Sequence, residues 1–287
     1  MSIVITGATG QLGRLVIAEL LERGVPAAGI AAVVRDKQKA TGLAERGIEL
    51  RIADHNRPES LAGAFGAGDR VLLISGSEVG QRVPQHAAVI SAAKAAGVAQ
   101  LAYTGVLGGP DADFELAAEH KATERLILDS GLPYTLLRNG WYTENYTAHL
   151  ATVLEHGAVV SNTGEGRVAS AARADYAAAA AVVLTGEGHL GTVYELSGDV
   201  AWSMSEYAAE VTRRSGRTVV HRDVPAEAHL AVLTGAGVPE PFAAILVDVD
   251  EAIRRGRLAG TGGDLARLIG RPTTPLADTV AEALRQL

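Results

Sequence analysis

Short apolar segments alternate with helix-like segments along the first two-thirds of the chain, and this alternation constrains the fold more than any other feature. The apolar segments are five to seven residues long. Strands that are apolar throughout, separated by helices of about 12 residues, are typical of a parallel sheet covered on both faces. We therefore predict an α/β fold built on a doubly wound parallel sheet. The six predicted strands are residues 2–6, 29–35, 48–54, 70–75, 100–104 and 133–138.

The alternation loosens after residue 140. A helix at 173–184 and a strand at 192–198 are predicted to return to the main sheet, whereas the rest of the C-terminal part reads as mostly helical, with a strand near 218–222. We also expect a helix after Pro58. The predicted domains are a sheet domain, residues 1–150 plus 170–198, and a smaller, mostly helical cap, residues 151–169 plus 199–287.

The first predicted strand leads directly into a glycine loop, and a helix-like segment follows. A first glycine permits a tight turn, a second lets a pyrophosphate approach the backbone, and a third lets the helix pack closely on the strand. The N-terminus of that helix offers N–H groups and a partial positive charge to phosphates. The spacing predicts a Rossmann-like NAD(P)-binding site, with a purely structural turn as the alternative. The residues assigned here are Gly7, Ala8, Thr9, Gly10, Gln11, Leu12 and Gly13.

Arg35 stands at the end of the second predicted strand. NAD-binding proteins usually carry an acidic residue there, which holds the ribose hydroxyls. A carboxylate would repel a 2′-phosphate, whereas a guanidinium can grip it with two hydrogen bonds. We therefore expect NADPH (NADP) to be favoured over NADH. The alternative is that Arg35 is only a solvated surface charge.

The charge and composition exclude several classes of partner. The chain has 26 basic and 33 acidic residues, a formal net charge of −7, so it has no general attraction to nucleic acid or anionic membrane. It has no cysteine, which excludes disulfides and thiol catalysis, and we assign no metal site. It shows neither a signal-peptide pattern nor a long apolar run. We expect a cytoplasmic protein, and leave self-association into a homo-oligomer open.

Polar and aromatic residues follow the predicted strands at their carboxyl ends, where doubly wound sheets bind their ligands. The segment after the sixth strand contains Asn139, Trp141 and Tyr142. Trp and Tyr offer flat faces that stack on an aromatic ring, and Asn can hydrogen-bond a carbonyl. We assign these three residues to the substrate. Plain packing of the two aromatic side chains is the alternative, and the two roles are compatible.

The usual proton relay of short-chain dehydrogenases is missing. No tyrosine has a lysine four residues further on, the pair that lowers the pKa of the catalytic phenol. His120, on the helix predicted at 119–131, is the candidate proton donor near neutral pH, and a solvated histidine is the alternative. A quinone is a strong hydride acceptor whose reduced oxygens can take protons from water. It chiefly needs its ring held against the nicotinamide, so we expect direct hydride transfer without flavin.

The chain resembles the NmrA-like group of atypical short-chain dehydrogenases/reductases and, within it, the bacterial NAD(P)H:quinone oxidoreductases of type 2. The resemblance spans nearly the whole chain, and "YTLLRNGWYTENY" (134–146) is its most specific stretch; others are 5–13, 77–82, 85–98 and 268–277. Gly76 and Gly105 stand where the family carries serine, so no hydroxyl role passes to them. The resemblance implies further NADPH-binding residues: Ser75, Gly76, Ser77, Gly140, Trp141, Tyr142, Thr143, Glu144 and Asn145.

The resemblance also implies the activity, which is NADPH-dependent reduction of a quinone. An alternative from another class is an NmrA-like regulatory protein that senses NADPH without turnover. A third hypothesis is a reductase of another activated carbonyl or ene substrate. The sequence does not specify which quinone is the natural acceptor.

Overall fold

The computed structural model describes all 287 residues. Its strands are β1 (Ile3–Ile5), β2 (Ile30–Val34), β3 (Glu49–Ile52), β4 (Arg70–Leu73), β5 (Gln100–Val106), β6 (Tyr134–Asn139), β7 (Ala158–Ser161), β8 (Arg167–Val168), β9 (Thr192–Leu196), β10 (Trp202–Ser203) and β11 (Val220–Asp223). Its helices are α1 (Gln11–Glu22), α2 (Thr41–Glu45), α3 (Arg82–Ala96), α4 (Ala117–Ser130), α5 (Glu144–Thr147), α6 (Leu150–His156), α7 (Arg173–Thr185), α8 (Met204–Ser215), α9 (Ala226–Gly235), α10 (Glu240–Arg254), α11 (Asp264–Ile269) and α12 (Leu276–Arg285).

Seven strands form the main sheet in the order β3-β2-β1-β4-β5-β6-β9. Neighbours from β3 to β6 run parallel, and Val4 of β1 pairs with Ala31 of β2 on one side and Val71 of β4 on the other. The chain thus winds outward from β1 in one direction and then from β4 in the other. The predicted doubly wound parallel sheet is confirmed. In such sheets the carboxyl ends of the two central strands flank the ligand crevice.

The central strands β1, β2, β4 and β5 are apolar because they are buried on both faces, whereas the edge strand β3 is not buried. Val4, Val71 and Leu101 are fully buried, and Val89 of α3 and Ile127 of α4 pack into the same core. Burying each such side chain contributes about 1.5–3 kcal/mol relative to exposure, before the cost of ordering it. This core holds the strand ends in place, and the functional loops extend from those ends.

The expected helix after Pro58 is wrong, because the segment forms only a single 3₁₀ turn over Pro58–Leu61. Gly63 and Gly68 follow with φ angles of +82° and +77°, a left-handed conformation that ends helical structure. The strand expected near 218–222 is present as β11, and its parallel partner β7 was not predicted from the sequence. No helix has both the length and the apolar composition needed to cross a membrane.

The chain divides into two compact units. The first comprises residues 1–110, 118–139 and 174–195, and the second comprises 111–117, 140–173 and 196–287. The predicted sheet domain extended to residue 150. In the structure, this stretch of the first unit ends at Asn139, the last residue of β6, and the segment that follows belongs to the second unit. The reason is local: the Thr143 N–H donates to the Ala171 carbonyl at 3.0 Å, which ties the 140s to the 170s within the second unit.

Candidate functional site

The glycine loop connects β1 to α1, and glycine is needed at Gly7 and at Gly13 for different physical reasons. Gly7 has a φ of +60°, and its carbonyl accepts a hydrogen bond from the Gly10 N–H at 2.9 Å. A Cβ at Gly13 would lie 2.4 Å from the Gly7 oxygen and 2.8 Å from the Ala8 Cα. The first turn of α1 therefore packs on the loop more closely than any side chain allows.

The N-terminus of α1 has no side-chain cap, since its N-cap residue is Gly10, and no acidic residue in its first turn. The first N–H groups of a helix have no partner within the helix, and they carry the positive end of its dipole. Gly7, Gly10 and Gln11 are exposed beside them. This cradle fits the diphosphate of a dinucleotide, which would be held by backbone N–H groups rather than by side chains.

Arg35 follows β2 directly, as predicted, but its guanidinium already has a partner in this structure. Arg35 Nη1 lies 3.2 Å from Glu78 Oε1. The other Glu78 oxygen accepts a hydrogen bond from Gln85 Nε2 at 2.9 Å, and Gln85 Nε2 also donates to Asn56 Oδ1 at 3.0 Å. Sequence reasoning missed Glu78 and Gln85 because neither lies on the strand that carries Arg35. Glu78 belongs to the segment after the fourth predicted strand, in which only small and hydroxyl-bearing residues such as Ser75 and Ser77 had drawn notice.

Glu78 stands on a loop, residues 75–82, that contains the predicted cofactor residues Ser75, Gly76 and Ser77. We call it the 75–82 loop. Its start is fixed by two bonds, from the Ser75 N–H to Thr104 Oγ1 at 2.9 Å and from the Gly76 N–H to His86 Nε2 at 3.0 Å. A Cβ at Gly76 would lie 3.0 Å from Gln85 Oε1, so a side chain there would crowd this buried amide.

The other end of the 75–82 loop is fixed by Glu119 of α4. One carboxylate oxygen of Glu119 accepts hydrogen bonds from the Gly80 and Arg82 N–H groups at 3.1 and 3.2 Å. Arg82 Nε in turn donates to the Gly76 carbonyl at 2.5 Å, which closes the loop on itself. The carboxylate also complements the helix dipole at the start of α3. The loop is therefore anchored at both ends, and its apex, Glu78 and Val79, is exposed.

His86 is neutral and fully buried under the 75–82 loop. Because the Gly76 N–H needs an acceptor at Nε2, the imidazole proton lies on Nδ1, which is 2.9 Å from Thr123 Oγ1. The Thr123 hydroxyl in turn donates a hydrogen bond to the Glu119 carbonyl at 2.9 Å. Burial, with smaller contributions from His55 and Arg82, lowers the pKa of His86 to about 4. The histidine supports the loop in its neutral form and lacks the second ring proton that a general acid would give up.

His120, the candidate proton donor, is also buried. Its Nδ1 lies 2.7 Å from the Tyr103 hydroxyl. Burial raises the pKa of that hydroxyl above its usual value. Burial first, and then Arg82 and His86, lower the pKa of His120 to about 3. An imidazole with such a pKa is neutral near pH 7. This environment does not favour His120 as a general acid, and a catalytic role for it stays a prediction without support from its surroundings.

An ion-pair cluster fixes the carboxyl ends of β5, β6 and β9. Arg138 makes a bidentate pair with Glu124, at 3.0 and 2.8 Å, and a third hydrogen bond to Glu195 at 2.7 Å. The Gly108 N–H donates to the other oxygen of Glu195 at 2.8 Å. A Cβ at Gly105 would lie 3.0 Å from Glu124 Oε1. A larger side chain at position 105 would therefore press on this buried pair.

The predicted segment after β6 begins with a buried residue, Asn139, whose carbonyl accepts a hydrogen bond from the Leu107 N–H at 2.9 Å. Gly140 opens the second unit, and Trp141 and Tyr142 are half-buried there. The Arg173 guanidinium lies 4.9 Å from the centre of the Tyr142 ring, a cation–π contact. Tyr142 therefore shares one of its aromatic faces with an arginine that sequence reasoning missed.

The remaining residues of that segment have structural partners in the second unit. Thr143 Oγ1 lies 2.8 Å from Ser170 Oγ, and both Glu144 carboxylate oxygens accept from the Arg173 N–H, at 2.9 and 3.0 Å. Glu144 thereby caps the first residue of α7. Asn145 is half-buried, with its N–H bonded to the Tyr142 carbonyl at 3.1 Å. Roles for these residues in cofactor binding stay predictions.

The comparisons with known proteins agree with this geometry. The profile of the NAD(P)H-binding family matches residues 7–187, and the chain belongs to that family. It is 49% identical to quinone oxidoreductase 2 of Escherichia coli (strain K12) over 97% of both chains.

Two solved structures are similar over nearly the whole chain. One is the NADPH-dependent quinone oxidoreductase of Escherichia coli in complex with NADPH, with a TM-score of 0.95 and 48% identity, covering 98% of this chain and 99% of that one. Another is the triphenylmethane reductase of a Citrobacter species in complex with NADP(H), with a TM-score of 0.94 and 44% identity over 98% of this chain and 100% of that one.

Proposed function

We propose that the chain is an NADPH-dependent quinone reductase that works without flavin. The 49% identity to quinone oxidoreductase 2 of Escherichia coli over 97% of both chains supports the substrate class. The observation that supports the cofactor assignment is the geometry of the glycine loop. A Cβ at Gly13 would lie 2.4 Å from the Gly7 oxygen, and the helix N-terminus beside it has no side-chain cap. A location in the cytoplasm and a homo-oligomeric state stay predictions.

In this proposal the residues of the first unit hold the cofactor. The backbone from Gly7 to Gly13 binds the diphosphate, Arg35 binds the 2′-phosphate, and the 75–82 loop lies along the cofactor on the side of Ser75 and Ser77. Bound NADPH supplies the hydride. The anchored strand ends and loops contribute orientation, which lowers the barrier by holding reactants in a reactive arrangement. Trp141 and Tyr142 provide flat apolar faces for the aromatic acceptor.

The buried side chains give no sign of a strong acid. His86 and His120, with pKa values lowered to about 4 and about 3, are neutral at physiological pH. Reduction of a quinone to its hydroquinone by one hydride also needs one proton, and we assign this proton to water. A simple ketone would require protonation at the moment of hydride transfer, so this environment favours an acceptor that is already strongly electrophilic.

The test is oxidation of NADPH, followed at 340 nm, with 1,4-benzoquinone and a naphthoquinone as acceptors and with cyclohexanone as a matched poor acceptor. We expect turnover with the two quinones and none with the ketone, in protein shown by its absorbance spectrum to lack flavin. Tight NADPH binding without turnover would favour the NADPH-sensing alternative. Turnover with an activated carbonyl or ene substrate, but with neither quinone, would favour the third hypothesis.

A further inference from the structure

We propose that Glu78 is a specificity-determining residue, an internal competitor for the 2′-phosphate that this chain would bind through Arg35. The carboxylate of Glu78 occupies the guanidinium in the ligand-free structure, with 3.2 Å between Arg35 Nη1 and Glu78 Oε1. A 2′-phosphate must displace this carboxylate before it can use the same donors. This inference rests on the proposed function, because it deepens the assignment of Arg35 to NADPH.

The pair differs from an ordinary surface ion pair in how its acid is held. Arg35 and Glu78 are both exposed, and isolated exposed pairs contribute only about 0–1 kcal/mol. The second oxygen of Glu78, however, is bonded to the amide of Gln85 at 2.9 Å, and Gln85 is buried. The 75–82 loop that carries Glu78 is itself anchored at both ends. The carboxylate is therefore directed toward Arg35.

The competition acts on phosphorylated ligands alone. A phosphate monoester carries a charge of about −1.5 to −2 at pH 7, so it both needs the Arg35 guanidinium and is repelled by the Glu78 carboxylate. NAD⁺ has a neutral hydroxyl at the same position, which neither needs the Arg35 guanidinium nor is repelled by the charge of Glu78. Removing the charge of Glu78 should therefore change the affinity for NADP⁺ and leave the affinity for NAD⁺ nearly unchanged.

The experiment is isothermal titration calorimetry of NADP⁺ and NAD⁺ with the wild type, Glu78→Gln and Glu22→Gln. Glu22 is an exposed glutamate at the far end of α1, so its substitution is a control for loss of one negative charge. For Glu78→Gln we expect a three- to tenfold lower Kd for NADP⁺ and a Kd for NAD⁺ within twofold of the wild type. Glu22→Gln should change neither. The gain should shrink at 1 M NaCl, where the Debye length is about 3 Å.

A second variant tests the anchor. Gln85→Met removes the amide that holds Glu78 while keeping a side chain of similar length, so the carboxylate can turn toward water. We expect NADP⁺ to bind more tightly here also, by a smaller factor than in Glu78→Gln. Damage to the buried site would weaken binding instead, so the sign of the change separates the two explanations.

The outcomes separate the inference from the proposed function. An unchanged Kd for NADP⁺ in Glu78→Gln, or an equal gain for NADP⁺ and NAD⁺, would overturn the competition while leaving NADPH as the cofactor. A wild type that binds NADP⁺ no better than NAD⁺ would remove the assignment of Arg35 to the 2′-phosphate, and the inference with it.

Discussion

Replacing Gly13 by alanine tests the close contact between α1 and the glycine loop. The added Cβ would lie 2.4 Å from the Gly7 oxygen and 2.8 Å from the Ala8 Cα, whereas carbon atoms in contact prefer about 3.5–4.0 Å. The obstructing atoms belong to the backbone, so α1 must move by roughly an ångström, and we expect the upper part of the usual overpacking cost, about 2–3 kcal/mol. Alanine regains about 1 kcal/mol as a better helix former, which leaves a loss of about 1–2 kcal/mol.

The assay is thermal unfolding followed by far-UV circular dichroism, with and without NADP⁺. A loss of this size lowers the Tm by about 2–4 °C per kcal/mol in domains of roughly 150–250 residues. The displaced N–H groups should also lose at least one charge-assisted hydrogen bond to phosphate, worth about 1.5–3 kcal/mol, so NADP⁺ affinity should fall by about tenfold or more.

Gly42→Ala is the matched control, because Gly42 lies in α2 with no atom within 4 Å of an added Cβ. That substitution should raise stability by up to about 1 kcal/mol and leave NADP⁺ binding unchanged. If Gly13→Ala instead raised the Tm as the control does, and kept its affinity for NADP⁺, the close packing of loop and helix would have no part in cofactor binding.

Three further predictions concern charged and titratable groups. Arg35→Ala should weaken NADPH binding by about 1.5–3 kcal/mol and NADH binding far less, as measured by fluorescence titration; equal losses would disprove the 2′-phosphate assignment. Arg138→Met should destabilise the fold by about 3–5 kcal/mol, because it leaves the buried carboxylate of Glu124 unpaired. Urea unfolding at pH 7 should show a clearly smaller loss of stability for the double variant Arg138→Met, Glu124→Met. In the folded protein the pKa values of His86 and His120 are lowered from 6.5 to about 4 and about 3. As pH falls, these histidines are therefore protonated in the unfolded chain before they are protonated in the folded one. Each should reduce the free energy of unfolding by about 1.4 kcal/mol per pH unit, from about pH 6.5 down to its pKa in the folded protein. Unfolding curves between pH 7 and pH 5 should be less steeply pH-dependent for His120→Gln than for the wild type.

The central strands of the main sheet were predictable because burial on both faces leaves a continuous apolar pattern. Segments such as 70–75 and 100–104 correspond to β4 and β5 within one or two residues at each end. The failure after Pro58 has a local cause, since two left-handed glycines, Gly63 and Gly68, stop any helix there. The pairing of β7 with β11 joins residues far apart in sequence, and the four residues of β7 are too few for a periodic signal.

The candidate site was predictable only where its chemistry is local. The glycine loop and Arg35 are read from a strand, a turn and the first residue after a strand. The Arg35–Glu78 pair spans 43 positions and exists only because β2 lies next to β1 and β1 next to β4, which brings the carboxyl end of β2 near the 75–82 loop. Residues brought together by the order of strands in a sheet have no fixed spacing in the sequence. The sequence around Glu78 therefore did not indicate that it would contact Arg35.

The 75–82 loop also gives a physical reason for the burial of His86. The 75–82 loop carries backbone N–H groups that must be satisfied, and Nε2 of His86 accepts one of them, from Gly76. Protonation of His86 would set two N–H groups against each other and release the start of the loop. A low pKa is therefore a condition for the loop's geometry. His86 is therefore a rigid, neutral support under Ser75–Ser77. This role is compatible with our proposal that the acceptor takes its proton from water.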